Sequence, residues 1–110
     1  MPNANINDVL NSIKDDAATD TKQQFQQLIT NAKGDANGFI QSNANQLEAW
    51  LVALSNGSLP QDEFNNLVAG QKLVAADFVA TQALDAQLGA ENLTVNLLET
   101  AVTKIVPLLI

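Results

Sequence analysis

The chain has 110 residues, 46% of them hydrophobic and 15% charged, with a formal net charge of −7. Its cations are Lys14, Lys22, Lys33, Lys72 and Lys104, scattered singly, so no basic patch exists to neutralise phosphates, and nucleic acids and anionic membrane surfaces are poor partners. With no His, Cys, Arg or Tyr, the chain lacks an imidazole base, a thiolate and the Glu-x-x-His pairs of di-metal bundles, which excludes serine and cysteine triads and those metal sites.

The length allows one domain with a real core, expected over residues 1–110. Asn and Gln replace much of the usual charge, as in Gln23-Gln24-Phe25-Gln26-Gln27. Met1 to Asn5 has neither the basic start nor the apolar core of a secretory signal. The compartment stays open: an intracellular chain, one exported without a cleaved signal, or one already mature all fit. The most apolar stretch, Leu93 to Ile110, is interrupted by Asn96, Glu99 and Lys104, so no transmembrane helix is expected.

The first arm, about residues 5–56, reads as α-helix. Ile6, Val9, Leu10, Ile13 and Ala17 are followed by Phe25, Leu28, Ile29, Ala32 and Ala36. Phe39, Ile40, Leu47, Trp50, Leu51 and Leu54 extend the same stripe in steps of three and four. The pattern also repeats at eleven residues through Ile6, Ala17, Leu28, Phe39 and Trp50, a period that keeps a stripe nearly straight. Unbroken, such an arm is on the order of 75 Å long. Asn31 to Gly38 contains two Gly and reads locally as a loop, since each interior Gly costs a helix about 1 kcal/mol relative to Ala. The apolar phase nevertheless runs across it, which favours a continuous helix, weakened or bent there.

The turn at 55–60 is strongly specified. Asn56-Gly57 suits a helix C-terminus, where Gly takes the left-handed conformation without strain. Ser58 with Gln61 forms a capping box for the next helix, and Pro60 is tolerated in its first turn. Arm two, about residues 59–106, begins with Phe64, Leu67, Val68, Val74, Ala75, Phe78 and Val79 on one face. Beyond Gln87 the apolar face rotates to Leu93, Leu97, Leu98, Ala101, Val102, Ile105, Leu108 and Leu109, with a kink or split expected near Gly89. Pro107 is expected to end the helix at Val106.

These elements make an all-α protein: a long antiparallel helical hairpin of coiled-coil type. Simple antiparallel geometry places residue i opposite about 114 − i. Trp50 then meets Phe64, Leu47 meets Leu67 and Val68, and Phe39 faces Ala75 and Ala76.

Candidate chemistry is sparse. Asp15, Asp16 and Asp20 form the densest acidic cluster, but a helix does not wrap six oxygens round an ion, and a solvated acidic face is the simpler reading. Gly34-x-x-x-Gly38 resembles the small-residue motif of close helix contacts. Asn43 and Thr21 interrupt the apolar stripe, where a polar residue either specifies register or oligomer state or marks a local gap filled by water. No catalytic residue, cofactor or metal is expected.

A two-armed hairpin closes one seam and leaves the rotated face of Leu97, Leu98, Val102, Ile105, Leu108 and Leu109 uncovered. The leading expectation is therefore a non-enzymatic structural or assembly protein. It self-associates through helix–helix contacts into a bundle, filament or shell, as a homo-oligomer. One alternative is an amphipathic lipid-surface protein. Another is a small exported hairpin that pairs with a second protein. The outline resembles small secreted hairpins with a Trp-x-Gly turn, although Trp50-Leu51-Val52 does not supply that motif.

Overall fold

A computed structural model describes residues 6–13 and 18–109. All regular structure among them is helical. The helices are α1 (Ile6–Asn11), α2 (Thr19–Lys33), α3 (Gly38–Ser55), α4 (Gln61–Ala80), α5 (Leu84–Leu93) and α6 (Val95–Thr100). A π-helical turn, Ala101–Ile105, joins α6 to α7 (Val106–Leu109). The expectation for Ala17 and for Asp15 and Asp16 lies outside the described residues.

The expected unbroken first arm is interrupted between Lys33 and Gly38. Two short polar side chains offer the backbone a local alternative to helix there. Asp35 Oδ1 accepts from the Asn37 amide at 2.7 Å, and Asn37 Oδ1 caps α3 by accepting from the Phe39 amide at 2.9 Å. The Gln41 side-chain amide closes the other side of the break, donating to the Lys33 carbonyl at 2.9 Å. The chain then folds back, so α2 packs on α3. Lys33 Nζ sits 2.9 Å and 3.0 Å from the two carboxylate oxygens of Glu48 across this pair. The molecule measures 40 × 28 × 27 Å, far short of the 75 Å arm.

The turn after α3 forms where the sequence places it. Gly57 adopts φ +84°, the left-handed conformation that Gly takes without a Cβ penalty. Its amide donates to the Leu54 carbonyl, and the Leu59 amide reaches back to the Ala53 carbonyl. Ser58 is not the cap of α4. Pro60 holds that position in an extended conformation without a side-chain cap, and the Ser58 amide instead donates to Asn56 Oδ1 at 2.9 Å. Across the turn, Gln71 Nε2 donates to Asn43 Oδ1 at 2.8 Å, a pair that satisfies i + j = 114. Phe39 lies one turn out of that register. It stacks on Phe78, with ring centroids 4.3 Å apart, rather than on Ala75 and Ala76.

Arm two breaks at Thr81–Ala83 and again at Thr94, not at Gly89, which lies inside α5. Thr81 Oγ1 donates to the Phe78 carbonyl at 2.6 Å. Thr94, fully buried, donates to the Ala90 carbonyl at 2.6 Å. Such back-bonding by Thr bends helices and competes with the helical ladder. Pro107 does not end the helix either. The Val106 amide bonds five residues back to Ala101, and the resulting π turn starts a new phase in which Pro107 occupies a first-turn position that needs no N–H.

One core results. Phe25, Ile29 and Ala32 of α2 meet Ile40, Ala44, Leu47 and Leu51 of α3 in it. Phe64 and Val68 of α4 and Val9 and Leu10 of α1 close its sides. Leu97, Leu98, Ala101 and Ile105 fill the remaining gap, packing against α2 and α4.

Candidate functional site

The face expected to remain uncovered is consumed inside the chain. Leu97, Leu98 and Ile105 are wholly buried, and Val102, Leu108 and Leu109 pack partly buried against the same core. This corrects the two-armed picture for a physical reason: breaks in both arms supply helices on several sides, and α2 covers what a hairpin leaves bare. Of the expected hairpin contacts, Leu47, Phe64 and Val68 are buried, while Phe39 and Trp50 are half-buried against the core. Leu67 is 40% exposed, outside the packed seam.

Polar candidates assemble little chemistry. Asp20 is exposed in the first turn of α2. Among the described residues no group of three or more carboxylates is placed to hold a metal ion. A depression of about 490 Å³ runs along α2, lined by Asp20, Thr30 and amides including Gln23, Gln27 and Asn31, with Asp20 and Thr30 ten residues apart on the helix. It brings together no nucleophile with a base to activate it. Asn43 is buried between α3 and α4. Its oxygen is satisfied by Gln71, and its Nδ2 has no hydrogen-bond partner within the protein. The Asn43–Gln71 pair ties two helices together and opens onto no reactive group.

What the chain leaves uncovered is a strip on α4 and α5. Leu73, Leu84 and Leu88 are 73%, 87% and 71% exposed. On α4, Leu73, Ala76 and Ala80 share one side at helical spacing, away from buried Phe64, Val68 and Ala75. On α5, Leu84, Leu88 and Glu91 share another, away from buried Ala90. Between them runs a shallow groove of about 350 Å³, lined by Ala76, Val79, Ala80, Gln87, Glu91 and Val95. Three Leu at this exposure, on the two helices that line the groove, form a patch rather than scattered surface Leu.

Sequence reasoning passed over Leu73, Leu84 and Leu88. The available signal was the Leu84-x-x-x-Leu88 spacing, whose phase opposes Ala90. No helix among the described residues is long and apolar enough to cross a membrane. No protein-family model matches the chain, and comparison with curated proteins and with solved structures found no match.

Proposed function

We propose that this chain is a non-enzymatic contact protein that docks another polypeptide, helix against helix, along the α4–α5 strip. The observation supporting this reading is the exposure of Leu73, Leu84 and Leu88 beside the groove. Exposed apolar side chains grouped on one face favour association, and apart from Leu67 and Val74, 40% and 49% exposed on another side of α4, the other large apolar side chains described are buried or half-buried. The strip, rather than the C-terminal face, is the surface proposed for contact. The sequence has neither His nor Cys to serve as base or thiolate nucleophile, which supports binding over catalysis.

The test compares the wild type with Leu84→Gln/Leu88→Gln by light scattering across a concentration series and by flotation with phospholipid vesicles. Thermal unfolding serves as the folding control. The reading expects both proteins to melt alike, and any oligomer to dissolve in the variant. Helix gained only on vesicles would contradict it and favour the lipid-surface alternative.

A further inference from the structure

We infer that the strip receives a cationic amphipathic helix from a different protein rather than a second copy of this chain. The inference rests on the reading of the strip as a contact surface and names the chemistry of its occupant. The only charged residues between positions 73 and 103 are Asp77, Asp85, Glu91 and Glu99, flanked by Lys72 and Lys104. All four are exposed. Three of them border the strip: Asp77 stands one turn from Leu73, Asp85 follows Leu84, and Glu91 lies three residues past Leu88 while lining the groove.

Lys72 precedes Leu73, so two copies joined strip to strip would bring six carboxylates together with only two lysines around an interface that excludes water. Like charges so placed oppose association, and opposite charges favour it. Ala76 and Ala80, exposed on the α4 side of the groove, are small enough for another helix to approach closely, while Leu84 and Leu88 project from α5. The fitting occupant carries apolar residues at helical spacing on one side, with Lys or Arg along the borders. This is the helix-in-groove mode, with the charges setting partner choice.

The probe is a 14-residue helical peptide built only of Leu and Lys in amphipathic order. Its control has Glu at every Lys. Binding of each labelled peptide is followed by fluorescence anisotropy, at low and at physiological ionic strength, on the full chain. The Leu–Lys peptide is expected to bind and the Leu–Glu peptide is not. Leu84→Gln/Leu88→Gln should weaken the Leu–Lys peptide about tenfold or more, the effect of losing roughly 1.4 kcal/mol. Glu91→Gln should weaken it severalfold. Glu63→Gln removes the same charge at the far end of α4 and should leave it unchanged.

Equal binding by wild type and the double variant, or equal effects of Glu91→Gln and Glu63→Gln, would overturn the inference in favour of diffuse attraction to an acidic chain. A wild-type dimer dissolved by Leu84→Gln/Leu88→Gln also overturns it, yet keeps the strip as a contact surface. Vesicle binding that the double variant abolishes would assign the strip to lipid and remove both readings.

Discussion

Two apolar regions of this chain look alike in sequence and differ completely in the fold. Leu97, Leu98 and Ile105 in the run Val95–Leu109 have no exposed surface, whereas Leu84 and Leu88 of α5, one helix earlier, are almost bare. Composition does not separate them. What separates them is the number of sides on which each helix has neighbours. Within Val95–Leu109, α6 lies against α2 and α4, and the π turn lies against α2. By contrast, the strip side of α4 and α5 faces outward. An apolar face is surplus only relative to a topology, and two short breaks, at Gly34–Asn37 and Thr81–Ala83, changed which face is surplus.

The sharpest way to break this contrast is a charge at the buried end of it. Ile105→Asp places a carboxylate among apolar side chains and should cost on the order of 4 kcal/mol or more. That is a large share of a stability of about 5–15 kcal/mol. The expected outcome is an unfolded chain by circular dichroism. A folded chain with a smaller assembly mass would instead restore the C-terminal face as an intermolecular surface.

Gly70 and Gly89 sharpen the exposed side. Both lie inside helices, and a Cβ added at either meets nothing within 4 Å. Gly70→Ala and Gly89→Ala should each stabilise the fold by about 0.5–1 kcal/mol, read as a rise in Tm. Gly57 shares the open surroundings but has φ +84°. Gly57→Ala should therefore lower Tm, because strain rather than space decides there. The smallest effect is expected at the α2–α3 ion pair, where the Lys33 side chain is 37% exposed and that of Glu48 17%. Glu48→Gln should cost about 0.2–1 kcal/mol, shrinking as salt rises in chemical denaturation.

Much of the fold was legible where a residue type has one structural use. Asn56-Gly57 marked the turn, and Phe64, Val68 and Leu47 marked the core beside it. The register that pairs Asn43 with Gln71 follows from that turn alone. The break at Gly34–Asn37 was obscured because the apolar phase runs through it. In the structure α2 and α3 fold back and turn their stripes into the same core, so an unbroken phase did not require an unbroken helix.

Thr81–Ala83 has neither Gly nor Pro, and Thr94 breaks the helix through a buried hydroxyl whose partner is four residues away. Neither leaves a strong local mark. The strip was missed because exposure is a property of the packed chain. Leu84 and Leu88 became informative only once Leu97 and Ile105 had been assigned to the core.

The C-terminal helices complete this chain's own core while the α4–α5 strip stays uncovered. Chemical denaturation of Leu97→Ala beside Leu88→Ala tests it most directly, since both remove the same atoms from helices close in sequence. Leu97→Ala should lose about 2–5 kcal/mol. Leu88→Ala should stay within about 0.5 kcal/mol of the wild type. Equal losses, or a larger loss at Leu88, would contradict the claim.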